Sequence, residues 1–179
     1  MRADARSNHE RLLAVAAEAF ARDGAQASLK AVAREAGVGI GTLYRRFPTR
    51  EALVEAVYQH EVDRLCEAAG DLLAGAPPAA ALRAWMERFV DFMAAKHGMA
   101  DVLRPVLVSE DDRQHTRDRL RSAIATLLAA GAEAGEVRAG LDPNDLLMAL
   151  GGITMIAGEE RQRELASRLI DLVLLGVAA

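Results

Sequence analysis

Apolar residues recur along most of this chain at the three- and four-residue spacing of amphipathic helices. A capping box formed by Ser7 and Glu10 precedes the first apolar stripe, and Gly24 is typical of its C-terminal end. The pattern therefore predicts a first helix between Ser7 and Gly24. Its apolar stripe consists of Leu12, Ala16, Ala19 and Phe20.

Two short segments with helical spacing come next, separated by a glycine turn. Ser28 can cap the second helix, and Gly37 at the end of that helix is the residue best suited to a left-handed turn. The third helix is predicted from about residue 40 to residue 47, because Pro48 disfavours its continuation. The second helix is therefore short, and the third follows it after a tight turn.

The remaining chain is dominated by longer helical patterns. Thr49 can cap a fourth helix that reaches about residue 74, and the clearest break is the stretch GAPPAAA at 75–81. Asp142 as a cap and Pro143 in the first turn mark the start of the eighth helix. Because alternating runs of polar and β-branched residues are absent, we expect no sheet and an all-α fold of about nine helices. The later predicted helices span about 82–98, 99–108, 111–131, 143–157 and 160–177.

Length and composition are those of a globular protein with a sizeable core: 179 residues, of which 51% are hydrophobic and 27% are charged. The N-terminal stretch is charged and lacks the apolar core of a signal peptide. The longest nearly uncharged stretch, 146–158, falls short of the roughly 18 residues that span a bilayer. The single cysteine, Cys66, excludes an intrachain disulfide and agrees with a reducing compartment. We therefore expect a soluble, cytoplasmic protein with no membrane association.

Charge is distributed unevenly along the chain. The overall net charge is −4, yet residues 1–60 hold nine Lys and Arg against seven Asp and Glu, a net charge of +2. The remaining residues hold 13 cations and 19 acids, a net charge of −6. Only the N-terminal third is therefore suited to contact a polyanion.

The predicted third helix separates into an apolar half and a cationic half. On a helical wheel of about 100° per residue with Gly41 at zero, the apolar residues lie at roughly 200° to 300°. The residues of the cationic half lie at roughly 0° to 140°. The apolar half comprises Leu43, Phe47, Ile40 and Tyr44, and the other half comprises Gly41, Arg45, Thr42 and Arg46. We expect the apolar half to dock on helices one and two. A short helix of this kind, after a glycine turn, is typical of the recognition helix of a helix-turn-helix, which enters the DNA major groove.

The segment SLKAVAREAGVGIGTLYRRFPTREALVEAV, residues 28–57, resembles the DNA-binding domain of TetR family transcriptional regulators. The resemblance implies a three-helix helix-turn-helix DNA-binding domain at 1–52 and a helical bundle at 53–179 for effector binding and dimerisation. It also implies a homodimeric repressor that binds double-stranded operator DNA and is released by a small apolar effector, with no cofactor. The position of Gly39 is usually Ser in the family, so this chain lacks the side-chain hydroxyl that would cap the recognition helix and contact phosphate.

Carried over residue by residue, the resemblance implies a set of DNA contacts around the helix-turn-helix. Arg45 is the best candidate for direct base recognition, because a guanidinium can bond guanine O6 and N7 together. For Tyr44, a half-buried core ring with an exposed hydroxyl is an equally good interpretation. The implied DNA-binding residues are Ser28, Lys30, Gly39, Thr42, Tyr44, Arg45, Arg46 and Arg50.

A dimer surface is expected because one helix-turn-helix contacts too few base pairs to be selective. Helices eight and nine carry more apolar surface than one small bundle needs, although burial within the monomer is the alternative. The family resemblance implies a four-helix interface, two helices from each subunit. The candidate interface residues are Leu146, Leu150, Ile153, Leu165, Leu169 and Val173.

An effector pocket is expected among helices four to seven, where aromatic and thioether side chains concentrate. Each of these residues taken singly fits a plain core role equally well, and the region resembles the ligand domain of SbtR-like members of the family. The candidate pocket residues are Trp85, Phe89, Met93, His97 and Leu103.

Two other classes of protein compete with this interpretation. The stretch HEVDR at 60–64 places Arg64 where a zinc helix needs its second histidine, and the glycines of GVGIG follow no strand, so we expect no metal site, no dinucleotide site and no enzyme. A helical ligand-binding or interaction module without operator binding is the second alternative. It gives no reason for Arg45, Arg46 and Arg50 to share one exposed surface.

Overall fold

A computed structural model describes residues 2–107, 109–156 and 160–179. Throughout these ranges the fold is helical, which confirms the predicted all-α class and the nine helices. A 3₁₀ turn at Gly24–Gln26 follows the first helix. The helices are α1 Arg2–Asp23, α2 Leu29–Glu35, α3 Ile40–Arg46, α4 Arg50–Gly75, α5 Pro78–Gly98, α6 Ala100–Leu103, α7 Glu110–Glu133, α8 Pro143–Ile156 and α9 Glu160–Val177.

The ends of several helices follow the local signals in the sequence. The Ser28 Oγ accepts a hydrogen bond of 3.3 Å from the Ala31 N–H, and the Thr49 Oγ1 accepts one of 3.1 Å from the Ala52 N–H. Gly37 has φ +69°, and its left-handed turn closes the end of α2. The predicted caps of α2 and α4 and the predicted turn at Gly37 are therefore confirmed.

Three predicted boundaries are wrong. α1 begins at Arg2, before Ser7, because the Ala and Arg residues ahead of Ser7 are good helix formers. α5 begins at Pro78 inside the predicted break, since proline suits the first turn of a helix. The sixth helix ends at Leu103, because Pro105 has no N–H to donate. The predicted end of the eighth helix near 157 lies outside the described residues.

The described chain divides into two compact units. The first contains the residues up to Glu61 together with Ala95–Glu110, and the second contains Val62–Ala94 and the residues from Asp111 onward. α4 contributes residues to both units. The predicted domain boundary between residues 52 and 53 stays a prediction.

Each unit has its own apolar core. In the first unit the fully buried side chains come from α1 to α4, and Phe20, Leu43 and Leu53 are the largest of them. In the second unit Trp85 is completely buried, and its indole N–H donates a 2.8 Å hydrogen bond to the Leu65 carbonyl.

Candidate nucleic-acid interface

α3 packs against the other helices of the first unit through the residues near its C-terminal end. Leu43 is the buried residue of α3, and Phe47, directly after the helix, is buried as well. Ile40 is 39% exposed and Tyr44 is 48% exposed. The expectation that the whole apolar half docks on its neighbours is therefore wrong for Ile40 and Tyr44. A helix of two turns meets the core over a narrow arc, and these two side chains lie outside that arc.

The cationic half of α3 faces away from the core. Thr42, Arg45 and Arg46 are all exposed, as is Lys30 on α2. Within the described part of the chain, none of the three cations forms an ion pair or a hydrogen bond through its side chain. Their charges are therefore available to an external anion.

Gly39 is the N-cap of α3. It has an extended backbone, with φ −67° and ψ 139°, and its carbonyl accepts hydrogen bonds from the N–H groups of Thr42 and Leu43 at 2.9 and 3.1 Å. A Cβ at this position would meet only the Thr42 Oγ1, at 3.8 Å, within the described residues. A side chain could therefore fit here, and its absence leaves the start of α3 open to a ligand.

The expectation that Arg45, Arg46 and Arg50 share one exposed surface is wrong for Arg50, which is half-buried. Its Nη2 donates a hydrogen bond to the Ala27 carbonyl, and its guanidinium carbon lies 5.7 Å from the centre of the Phe20 ring. The Nη1 atom is buried and has no hydrogen-bond partner among the described residues. The side chain thus connects α4 to Ala27, which follows the 3₁₀ turn, and its phosphate contact stays a prediction.

A cleft between α2 and α3 was missed by the sequence reasoning. It has a volume of about 580 Å³. Its charged lining residues are Lys30 and Arg34, which lie one helical turn apart on α2. The four-residue spacing of these two cations was a visible signal for Arg34. The lining residues are Ser28, Lys30, Ala31, Ala33, Arg34, Val38 and Ile40.

His9 packs against Phe47, the residue that follows α3. Its ring stacks on Phe47 with the ring centres 6.1 Å apart, and its Nδ1 atom is buried with no described hydrogen-bond partner. Burial is the main cause that lowers the pKa of His9, and the nearby charges of Arg46 and His60 lower it further. The neutral ring is therefore favoured at neutral pH.

The predicted effector residues do not all belong to one unit. Trp85 and Phe89 are buried with ring centres 5.9 Å apart, and Met93 is half-buried; all three are in the second unit. His97, which is exposed, and Leu103, which is buried, are in the first unit. Their role in effector binding stays a prediction.

The second unit contains a cavity of about 360 Å³ between α5 and α9, which sequence reasoning missed. Its floor is apolar, and an ion pair between Arg163 and Asp91 lies at its edge. No residue of the predicted pocket lines this cavity. The lining residues are Glu87, Val90, Asp91, Arg163, Glu164, Ala166, Ser167 and Ile170.

The predicted dimer residues are covered by the chain itself to different degrees. On α8, Leu146, Leu150 and Ile153 are buried within the monomer. On α9, the three candidates are half-buried: Leu165, Leu169 and Val173. The strongly exposed apolar side chains lie on other positions of the same two helices, and Met155 reaches 83% exposure. These residues, which we call the α8–α9 apolar face, are Met148, Met155, Leu172 and Leu175.

Other chemical features of the described residues are few. No group of three or more His, Cys, Asp or Glu side chains there is placed to hold a metal ion. None of the described helices is long and apolar enough to cross a membrane. Cys66 is a free, half-buried thiol, and burial is the main cause that raises its pKa.

Two short helices joined by a glycine turn, with cations exposed on the second, define a helix-turn-helix protein. Family models match both parts of the chain. Residues 12–57 match the model described as bacterial regulatory proteins, tetR family, and residues 77–179 match the model described as transcriptional regulator SbtR-like, C-terminal domain. The chain belongs to the TetR family of DNA-binding transcriptional regulators, and its C-terminal part is SbtR-like. Both resemblances noted in the sequence are confirmed.

Solved structures of similar proteins cover nearly the whole chain. The TetR transcriptional regulator SCO0520 from Streptomyces coelicolor is 50% identical with a TM-score of 0.87, over 94% of this chain and 97% of that one. The TetR transcription regulatory protein from Mycobacterium vanbaalenii is 34% identical with a TM-score of 0.82, over 99% of each chain. The HTH-type transcriptional regulator SAUSA300_2515 of Staphylococcus aureus (strain USA300) is 38% identical over 64 residues, which is 35% of each protein. The match to such curated relatives thus spans about a third of their length.

Proposed function

We propose that this chain represses transcription by binding double-stranded operator DNA as a homodimer, and that a small apolar effector releases it. The observation that carries the proposal is the exposed cationic surface of α2 and α3. Lys30, Arg45 and Arg46 are exposed on the two helices α2 and α3, which contact each other, and none of the three has an ionic partner among the described residues. Unpaired cations on the two helices of a helix-turn-helix are suited to bind a polyanion.

Arg45 is the residue we assign to base recognition. It is exposed on α3, on the arc opposite the buried Leu43. A guanidinium in the major groove can donate two hydrogen bonds to a guanine, and such a pair discriminates by about 1 to 3 kcal/mol. Arg46 and Lys30 would contact phosphates, which position the protein without selecting a sequence.

Dimerisation would pair two such surfaces on two half-sites. The α8–α9 apolar face supports this part of the proposal, because side chains such as Met155 and Leu172 have no cover within the described chain. A second copy of the same face would bury them by twofold symmetry. The buried candidates Leu146, Leu150 and Ile153 would support that face from beneath.

Effector release would require a site in the second unit that is linked to the first. α4 is the element we assign to this link, because it runs from the helix-turn-helix at Arg50 to Gly75 in the second unit. If α4 can take up two positions and the effector binds the protein more tightly in one of them, effector binding would change the separation of the recognition helices. Since bacterial DNA lies in the cytoplasm, the proposal places the chain there.

The test replaces Arg45 by alanine. We expect Arg45→Ala to weaken binding to the operator by about 10- to 100-fold, because the two hydrogen bonds from its guanidinium to a guanine are lost. Gel shift on DNA upstream of the chain's own coding sequence would measure binding, and sizing chromatography would check that the oligomer is intact.

Arg88→Ala is the matched control, since Arg88 is exposed on α5 with no ion pair to a described residue. This variant should bind as the parent protein does. A parent protein that shifts neither its own upstream DNA nor any duplex from a random library would contradict the proposal. It would favour the alternative, a helical module without operator binding.

A further inference from the structure

Ile40 is a partly exposed apolar side chain close to exposed cations. It is 39% exposed, although it is the first residue of a helix that the buried Leu43 already anchors. A substantial part of its apolar surface is therefore not covered by the core. Exposed apolar groups beside a binding surface gain free energy when a ligand covers them with an apolar group of its own.

The cleft that Ile40 lines has a distinct charge. Lys30 and Arg34 are its charged lining residues, and no acid lines it. Both cations are exposed, and neither side chain has an ionic partner within the described ranges. Small and apolar residues such as Ala31 and Val38 form much of the remaining wall. The cleft thus combines cations for phosphate with apolar surface for a sugar or a methyl group.

We propose that this cleft receives one strand of the operator, with Lys30 and Arg34 on its phosphates and Ile40 against the C5-methyl group of a thymine. The inference rests on the proposed function and adds a second determinant of specificity to Arg45. Thymine is the base whose major-groove edge carries a methyl group, and apolar side chains recognise it by contact. Arg34 contributes affinity that does not depend on sequence.

The test removes the thymine methyl group without changing base pairing. A duplex is first selected from a random library with the parent protein, and each thymine is then replaced singly by deoxyuridine. Fluorescence anisotropy measures the affinity for each duplex. We expect the affinity of the parent protein to fall about fourfold when deoxyuridine replaces one particular thymine of a half-site. A fourfold change corresponds to the free energy of burying about one methyl group.

Two variants of Ile40 separate this contact from general effects. Ile40→Ala should bind the thymine duplex about fourfold more weakly and should not distinguish thymine from deoxyuridine at that position. Ile40→Val should keep most of the discrimination, which also guards against a folding defect in the alanine variant. Circular dichroism melting should show that both variants remain folded at the temperature of the binding assay, because Ile40 is not part of the buried core.

Arg34→Ala is the control for the phosphate contact. It should weaken binding to both duplexes equally and lower the slope of log affinity against log salt by about one per subunit. The inference is overturned if the parent protein binds every deoxyuridine duplex as tightly as the thymine duplex, or if Ile40→Ala keeps the full discrimination. Failure to select any duplex would instead contradict the proposed function.

Discussion

Gly41 lies on the exposed side of α3, and a Cβ built there meets no described atom within 4 Å. The fold itself therefore does not require glycine at this position. Glycine inside a helix costs about 0.5 to 1 kcal/mol relative to alanine. A residue that weakens its own helix without a packing reason is typical of a surface that another molecule must approach closely.

Replacing Gly41 by alanine should therefore separate stability from binding. We expect Gly41→Ala to raise the free energy of unfolding by about 0.5 to 1 kcal/mol and to weaken DNA binding, because a methyl group would enter the approach surface. Urea denaturation and fluorescence anisotropy measure the two effects. Gly70→Ala on α4 is the control, since that position is exposed and equally open, and it should gain stability with no loss of binding. Equal DNA affinity of Gly41→Ala and the parent would show that this side of α3 does not meet DNA.

At the scale of elements, glycine has another use at the end of α7. Gly131 is buried within the helix, and a Cβ there would lie 2.5 Å from the Cγ2 and 2.9 Å from the Cβ of Val137. Val137 is itself buried and bridges to Ala178 at the end of the chain. The missing side chain at Gly131 thus makes room for the segment that returns from α7 toward α8.

Gly131→Ala should overpack this contact. We expect the free energy of unfolding to fall by about 1 to 3 kcal/mol, because neither the backbone of α7 nor the branched side chain of Val137 can move away freely. Urea denaturation of the full chain checks the prediction, with Gly70→Ala again as the matched substitution. A stability gain similar to that of Gly70→Ala would mean that the segment carrying Val137 relaxes without cost.

Arg50 on α4 makes contacts with other elements that its position in the sequence does not predict. Its position at the start of α4 suits a phosphate contact, yet its guanidinium bonds to Ala27 and packs on Phe20. A planar cation can cover an aromatic ring and hold a carbonyl at the same time. The side chain therefore joins three parts of the helix-turn-helix unit, whatever it does toward DNA.

On the scale of the whole molecule, the α8–α9 apolar face is the feature that a single chain leaves open. Leu172 and Leu175 on α9 are 63% and 76% exposed. Leu172→Glu should shift the protein toward monomer, because a carboxylate would be buried without a partner at the proposed interface. Sedimentation velocity measures the assembly, and operator affinity should fall with it since a monomer contacts one half-site.

The control for this change carries the same charge elsewhere. Ala129→Glu alters an exposed position of α7 and should leave the assembly unchanged. A dimer of undiminished stability in Leu172→Glu would place the interface on another surface. It would leave the assignment of α2 and α3 to DNA unaffected.

The sequence by itself determined where most helices begin and end. The turn at Gly37, the cap at Ser28, the stop at Pro48 and the start of α8 at Pro143 all follow from dihedral preferences and hydrogen-bonding groups within a few residues. The family could also be recognised from the sequence, because the residues of the helix-turn-helix motif are continuous along the chain. Such signals act locally and need no knowledge of the fold.

Only the tertiary structure decided which side chains are covered. It exposes Ile40 and Tyr44, which the helical wheel assigns to the core, and it buries Leu150, which the apolar stripe of α8 suggests for a partner. It also brings Arg34 beside Ile40 in one cleft. Burial depends on contacts between residues far apart in the chain, so a periodic pattern can define the face of a helix but not the neighbour that covers it.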